Sequence, residues 1–111
     1  MKILKEVKMF ETGQHYSNGV WQVKSGQEEN FRAVWKEFAE SALKNQGVLE
    51  GVLLQEVDNS KNFVSFGLWK DAESTKKWQN SSEFKNYMSK FKDLCDSMQI
   101  KILKSIVKIK K

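Results

Sequence analysis

The chain has 111 residues, of which 40% are hydrophobic and 12% aromatic, with one cysteine, no proline and a net charge of +5. This composition is enough for one hydrophobic core, and it excludes a wholly disordered or collagen-like chain. No stretch approaches the roughly 18 apolar residues that a membrane-spanning helix needs. Because Cys95 is alone and lysines interrupt the first ten residues, we expect neither a disulfide framework nor secretion, but a cytoplasmic protein.

The positive charge lies at the two ends of the chain and not along its body. Lysines within residues 1–10 and 99–111 supply the excess, and Arg32 is the only arginine beside 18 lysines. Proteins that bind nucleic acid typically carry a basic face with arginines that contact phosphates. The composition therefore predicts a protein that binds neither nucleic acid nor a membrane.

A strand and a long helix are predicted first. Residues 15–24 alternate in the manner of a β-strand, and Ser25-Gly26-Gln27-Glu28 has the pattern of a helix capping box. The helix that follows is predicted to run to about Lys44 and to end at Gly47. Its apolar residues recur at helical spacing: Phe31, Val34, Trp35, Phe38 and Ala42.

Two further strands are predicted at residues 48–57 and 62–69, joined by the turn-forming residues 58–61 as a β-hairpin. In the second strand, one face carries Val64, Phe66 and Leu68. The other face carries Phe63, Ser65, Gly67 and Trp69. Since neither face is strongly polar, we expect both faces of the sheet to be covered.

Two helices and a last strand complete the chain. Asp71 is predicted to cap a short helix that runs to about Gln79, and a second helix follows Asn80-Ser81. The second helix carries apolar residues at helical spacing: Phe84, Tyr87, Met88, Phe91 and Cys95. Residues 98–110 alternate as a long strand, with a bulge expected near residues 102–103.

The predicted order from residue 15 onward is βαββαβ, which is typical of an α+β, ferredoxin-like fold with a four-stranded antiparallel sheet. Helices would cover one face of the sheet. The apolar second face predicts a homodimer in which two sheets pack into a dimeric α/β barrel. Residues 15–111 thus form the domain, and residues 1–14 are an extension that serves as an extra strand or an arm.

Three segments make the chain resemble the antibiotic biosynthesis monooxygenase family of the dimeric α/β-barrel superfamily. The first is Val23-Lys24-Ser25-Gly26, where the family commonly has a Val-Lys-Pro-Gly-like turn before its first helix. The second runs from Phe66 to Ser74 (FGLWKDAES), and the third from Trp78 to Phe84 (WQNSSEF). The resemblance covers residues 15 to 110, nearly the whole chain.

This resemblance implies an enzyme that oxidises an aromatic or quinol-like small molecule in an apolar pocket, with no metal and no cofactor. A protein of this kind needs only a few polar groups that stabilise a phenolate. The residues that the resemblance assigns to catalysis are Asn18, Trp78 and Tyr87. Those assigned to ligand binding are Ser65, Trp69, Phe84 and Met88. Trp69 and Met88 are also ordinary core residues for a strand end and a helix stripe.

Two alternatives stay open. The same fold also serves as a non-enzymatic ligand-binding or dimerisation module. The haem-degrading branch of the family pairs a tryptophan at the position of Trp78 with an iron-ligating histidine ten residues later, where this chain has Met88. His15 is the only histidine and is expected at the surface. The sequence contains no catalytic triad, paired-carboxylate, phosphate-loop or metal-ligand motif.

Overall fold

The computed structural model describes residues 9–45 and 47–111. The elements, in chain order, are β1 (His15–Val23), α1 (Glu28–Asn45), β2 (Val48–Gln55), β3 (Asn62–Trp69), α2 (Ala72–Gln79), α3 (Ser82–Leu94) and β4 (Cys95–Lys104). No helix within these residues is long and apolar enough to cross a membrane.

The four strands form one antiparallel sheet in the order β2-β3-β1-β4. The two strands that are central in the sheet, β1 and β3, pair from His15 with Trp69 to Gln22 with Asn62. This order, with all three helices against one face, is the ferredoxin-like arrangement, so the predicted fold class is confirmed.

Strand alternation decides which side chains meet the helices. In β1, Trp21 packs on Phe31 of α1 and Phe91 of α3, with ring centroids 5.3 and 4.6 Å apart. Residues at odd positions of β1 and β3 therefore face the helices. Even-numbered residues, including Asn18 and Val20, lie on the other side, which we call the open face.

Side-chain caps fix both short helices. The backbone N–H of Ser74 donates to the Asp71 carboxylate over 2.7 Å, and the backbone N–H of Phe84 donates to the Ser81 hydroxyl over 3.2 Å. The bond from Ser74 holds the pKa of Asp71 below its usual value. This cap therefore stabilises the fold while Asp71 is ionised, and the contribution is lost as the pH falls through that pKa.

The predicted capping box at residues 25–28 is wrong. The N–H of Gln27 donates to the carbonyl of Lys24 over 3.0 Å, and Gly26 has a φ of +83°. Residues 24–27 thus form a tight turn whose third position needs a positive φ, which glycine adopts without strain. Because the turn occupies Ser25 and Gly26, α1 begins at Glu28.

The last strand is displaced relative to its prediction. It begins at Cys95, which pairs with Val23, and not within residues 98–110. Its irregularity lies opposite residues 22 and 23, and not near residue 102. The strand ends at Lys104 because that residue pairs with His15, where β1 begins.

A short segment, residues 9–14, folds back on the end of the sheet. The N–H of Gly13 donates to the carbonyl of Ser105 over 2.8 Å, and the Lys108 amine contacts the Glu11 carboxylate at 2.7 Å. The ring of Phe10 stacks on Tyr16 with centroids 5.9 Å apart. This part of the predicted extension is thus tied to the domain, and residues 1–8 lie outside the described residues.

The core under the helices consists of two aromatic clusters. The first cluster contains the buried residues Trp21, Val23, Phe31, Phe63, Phe91 and Cys95. The second contains Ala42, Trp69 and Trp78, with Phe38, Val48 and Phe84 packed against it. Phe38 touches both clusters, since its ring meets Phe91 at 5.3 Å and Trp78 at 5.9 Å.

Candidate functional site

A cavity of about 90 Å³ lies between α1 and the sheet. Its floor is made of small residues, because the helix-facing positions in the middle of the sheet hold Ser17, Ser65, Gly51 and Gly67. Large side chains enclose it from the other directions. Those are Trp35, Phe38, Leu43, Val48, Trp69 and Trp78, with Ala39 and Ala42 between them. The cavity exists because glycine and serine leave space that the bulkier neighbours do not fill.

Two tryptophan–serine pairs supply the polarity of this apolar cavity. Trp69 Nε1 donates to Ser17 Oγ over 2.9 Å, and Trp21 Nε1 donates to Ser65 Oγ over 3.0 Å. An indole N–H can only donate, so each serine oxygen is the acceptor and keeps its own O–H proton. Ser17 and Ser65 can therefore both donate to a ligand in the cavity.

A third tryptophan, Trp35, also lines the cavity. The terminal carbon of its ring, Cη2, lies 3.8 Å from the point where a side chain on Gly51 would begin. Its Nε1 atom is buried and has no hydrogen-bond partner within the described part of the chain. Trp35 thus borders the cavity with its ring, and its N–H is a buried donor without a partner among the described residues.

The described residues supply the cavity with neither an acid nor a base. Among the described residues that line it, none carries a carboxylate, an amine or an imidazole. The polar groups of the wall are hydroxyls and indoles. The hydrogen bonds that such groups donate are strongest when the accepting oxygen carries negative charge. Such an arrangement stabilises a phenolate but cannot by itself remove a proton.

Three of the residues predicted for the site come together at this cavity: Ser65, Trp69 and Trp78. Trp69 and Trp78 are each 3% exposed, so their rings are core and cavity wall at once. The ring of Phe84 meets Trp78 edge-on at 6.0 Å and supports it from outside the cavity. Phe84 therefore positions Trp78 and does not line the cavity.

Asn18 lies on the opposite side of the sheet from the cavity. It is 8% exposed, and its side-chain amide donates to the carbonyl of Ser65 over 3.1 Å. The residue at the cavity is its neighbour Ser17, which the sequence analysis missed. The alternation of side chains in β1 could have identified Ser17, since Ser17 lies on the same side of the strand as Trp21.

Tyr87 and Met88 are also away from the cavity. Tyr87 lies on a surface groove with Glu37, Glu83 and Lys44, and Phe38 separates it from the cavity. Burial, with the nearby carboxylates of Glu37 and Glu83, raises the pKa of Tyr87. Met88 packs against the first aromatic cluster.

The residues present do not fit a haem group. The cavity of about 90 Å³ is far smaller than the roughly 300–1,000 Å³ of ordinary cofactor sites. Met88, which stands where the haem-degrading branch has its histidine, contributes to packing of the core and not to the cavity wall. The geometry therefore does not favour haem chemistry.

Cys95 is expected to be unreactive in the folded protein. It is 6% exposed, and burial raises the pKa of its thiol to about 11. At pH 8 only about one thiol in a thousand is then ionised, and only the thiolate reacts. We expect alkylation by iodoacetamide at pH 8 to be more than about 100-fold slower in the native protein than in denaturant. Equal rates, followed by mass spectrometry, would contradict this placement of Cys95.

Several solved structures have a similar fold. A conserved protein from Methanosarcina mazei superposes with a TM-score of 0.75 at 23% identity, covering 85% of this chain and 94% of that chain. SnoaB, a cofactor-independent oxygenase from Streptomyces nogalater, superposes with a TM-score of 0.80 at 15% identity, covering 90% of this chain and 100% of that chain. No curated protein matches the sequence significantly.

At these identities the superpositions establish the fold alone. The sequence itself carries the assignment further, because the family model named antibiotic biosynthesis monooxygenase matches residues 15–90, which is more than half of the chain. That range includes β1, α1, the hairpin and α2, and so every residue that lines the cavity. The resemblance noted from the sequence is thereby confirmed, and the chain belongs to the antibiotic biosynthesis monooxygenase family.

Proposed function

We propose that this protein is a monooxygenase that oxidises a phenol or quinol in the cavity between α1 and the sheet, using neither a metal nor an organic cofactor. The observation that carries the proposal is an apolar cavity whose polar groups are hydrogen-bond donors: the hydroxyls of Ser17 and Ser65, each fixed by an indole. Family membership and the likeness to SnoaB, a cofactor-independent oxygenase, support it.

The proposed reaction requires the protein to bind and stabilise an electron-rich anion. Once a quinol loses a proton, it can pass electrons to dioxygen without a cofactor. Donors placed in advance around the phenolate oxygen stabilise the charge most strongly where water is excluded. Ser17 and Ser65 would provide these donors. Trp69 and Trp78 would enclose the ring.

The size of the cavity favours a single aromatic ring. An apolar cavity of roughly 150 Å³ is enough to bind benzene, and this one measures about 90 Å³. A modest opening therefore admits one ring, whereas three fused rings would require a large rearrangement. Leu43, at the edge of the cavity and 50% exposed, is the side chain that we expect to move.

The balanced reaction for such a substrate is hydroquinone plus dioxygen giving hydroxybenzoquinone plus water. One oxygen atom forms a new bond to a ring carbon, and the other leaves as water. The ring gives up four electrons, so no external reductant is needed. Because no lining residue among those described is an acid or a base, the proton of the substrate leaves to solvent.

The pH dependence of turnover tests this mechanism. We expect kcat/KM for oxygen uptake to rise with pH, and the midpoint of the rise to follow the acidity of the substrate, because the substrate must ionise without a protein base. Two quinols of different acidity should give midpoints separated by the difference in their own pKa values. A midpoint that stays fixed when the quinol is changed would instead reveal a titrating group of the protein.

A non-enzymatic binding module is the second candidate. The absence of an acid or base from the described lining residues suits a protein that only holds a phenol as well as one that oxidises it. The two candidates differ in one observable, since a binding module would bind hydroquinone saturably without consuming oxygen above the uncatalysed rate.

We further propose that the protein is a homodimer assembled through the open face. Apolar side chains remain uncovered there, with Val20, Leu54 and Leu103 exposed to 43%, 49% and 39%. Beyond β4, Ile106, Val107 and Ile109 are more than 70% exposed as well. Exposed apolar surface of this extent is typical of an interface. A second copy is the natural partner, because a two-fold axis lets the same face meet itself.

A further inference from the structure

One end of the open face is covered by a segment of the same chain. Where β1 begins, Tyr16 is buried, and the ring of Phe10 stacks on it and meets Phe66 edge-on at 6.2 Å. The backbone N–H of Phe10 also donates to the Tyr16 hydroxyl over 2.6 Å. Residues 9–14 therefore add a layer to this end of the face.

The other end of the open face is uncovered. Val20 pairs with Val64, and Val64 pairs with Leu54, so these three side chains lie next to one another across β1, β3 and β2. We call them the Val20 patch. A groove of about 480 Å³ lies over the patch, and the exposed residue Glu56 contributes to its wall. Exposed apolar surface of this kind is typical of a site that a partner covers.

The C-terminal tail, residues 105–111, is a second uncovered apolar surface. It continues directly from β4, in which Leu103 lies on the open face because it pairs with Tyr16. Strand alternation continued along the tail places Val107 and Ile109 on the same side as Leu103. Both side chains are more than 70% exposed, so nothing in their own chain covers them.

The tail cannot reach the Val20 patch of its own chain. In β4, Gln99 pairs with Val20 and Lys104 pairs with His15, so the tail leaves the sheet about 16 Å from the patch, at the opposite end of the strands. Beyond Lys104 the tail runs beside the segment that precedes β1, which takes it further from the patch. A tail that covers the patch must therefore come from another molecule.

A second copy supplies such a tail. A two-fold axis that runs across the strands reverses their direction, so the tail end of each copy lies over the Val20 patch of the other. This packing also fits the thickness of the faces, because the layer of residues 9–14 on one copy meets the uncovered end of the other. The charges match as well, since Lys110 and Lys111 follow Ile109 and Glu56 borders the patch.

We propose that the two copies of the homodimer exchange their C-terminal tails, so that Val107 and Ile109 of one copy cover the Val20 patch of the other. This inference rests on the homodimer put forward with the proposed function, and it adds which segment of one copy meets which residues of the next. Because the contact is reciprocal, each dimer contains it twice and covers both tails.

Cysteine cross-linking tests the contact directly. Under mild oxidation, Leu54→Cys/Ile109→Cys should form at least about tenfold more covalent dimer than either single variant, because a disulfide needs Cα atoms within about 7 Å. The two new thiols of a single variant lie at opposite ends of the dimer. Leu43→Cys/Ile109→Cys is the matched control, since Leu43 is as exposed as Leu54 but lies on α1, across the sheet. Non-reducing gel electrophoresis measures the covalent dimer.

A second experiment compares the two sides of the tail. Ile106 and Val107 are equally exposed, at 77% and 76%, but alternation places them on opposite sides. Val107→Asp should raise the dissociation constant of the dimer at least about tenfold, because it brings an unpaired charge onto the apolar patch. Ile106→Asp should change the dissociation constant less than about twofold, because its side chain stays in water. Sedimentation equilibrium measures both.

Three results would overturn the inference and leave the homodimer in place. They are a dimer in which the double variant forms no cross-link, a covalent dimer from Leu54→Cys alone, and equal losses for Val107→Asp and Ile106→Asp. A monomeric unaltered protein would instead remove the homodimer and the tail contact together. Oxygen uptake with hydroquinone is a separate measurement, so failure of the oxygenase proposal would leave the tail contact standing.

Discussion

Gly67→Ala is expected to lower the free energy of unfolding by about 1–3 kcal/mol, because it breaks a buried hydrogen bond. A Cβ atom on Gly67 would lie 2.7 Å from Ser17 Oγ and 3.3 Å from Trp69 Nε1. These are the two atoms of the Ser17–Trp69 hydrogen bond, which spans 2.9 Å. The hydroxyl must turn away, and Trp69, which is 3% exposed, would keep a buried N–H without an acceptor.

Gly51→Ala is the matched control for this prediction. Gly51 pairs directly with Gly67 across the sheet and lines the same cavity, but a Cβ atom there meets its neighbours at 3.7 and 3.8 Å. This is ordinary van der Waals contact, so we expect stability to be unchanged or raised by up to about 1 kcal/mol. Urea unfolding of both variants measures the change in the free energy of unfolding. If both variants lost the same free energy of unfolding, the effect at Gly67 would not come from the Ser17–Trp69 hydrogen bond.

Val20→Glu is expected to convert a dimer into a monomer. Under two-fold symmetry the substitution places a carboxylate on both copies of the face, and burying an unpaired charge costs several kcal/mol. We therefore expect the dissociation constant to rise by more than about 100-fold. Sedimentation equilibrium should show twice the chain mass of 12.9 kDa for the unaltered protein and the single mass for the variant.

Val57→Glu provides the control for that substitution. Val57 follows β2 in the hairpin turn and is 97% exposed, so the same change there should leave the mass of the dimer unaltered. If Val20→Glu kept the dimer mass, the open face would not be the interface. If the unaltered protein had a mass near 13 kDa at micromolar concentration, the dimer proposal itself would fall.

Local sequence rules predicted the middle of the chain well. The prediction of β3 at residues 62–69 is confirmed, and Asp71 caps α2 as expected. Both depend on neighbours in sequence: turn-forming residues before the strand, and a carboxylate three positions before the N–H that it accepts from. Interactions of this kind can be predicted without knowing the tertiary structure.

The ends of β4 could not be predicted in this way. Cys95 continues the helical spacing of Phe91, and alternation continues past Lys104, so the local pattern favours a longer helix and a later strand. The actual limits depend on β1. Pairing with Val23 starts the strand at Cys95. Because β1 begins at His15, which pairs with Lys104, the residues after Lys104 find no further residues of β1 to pair with.

The structure brings only some of the predicted site residues together at the cavity, and two features of the cavity were not predicted. Asn18 was assigned from the family resemblance, whereas Ser17, one residue away, is the one at the cavity, because a shift of one residue in a strand moves a side chain to the other face. Trp35 was assigned to the apolar stripe of α1, where it does lie. Its unpaired N–H depends on the absence of an acceptor in the folded surroundings, which no sequence pattern reports.

The central claim is that the cavity between α1 and the sheet binds and oxidises a single-ring quinol. Oxygen uptake with hydroquinone, compared between the unaltered protein and Gly51→Ala, tests it most directly. Gly51→Ala adds a methyl group to the cavity floor with ordinary contacts and without strain. We predict saturable uptake by the unaltered protein and a loss of at least about tenfold in kcat/KM for the variant, at unchanged stability. Equal rates for the two proteins would contradict the claim, because a cavity that tolerates filling is not where the reaction occurs.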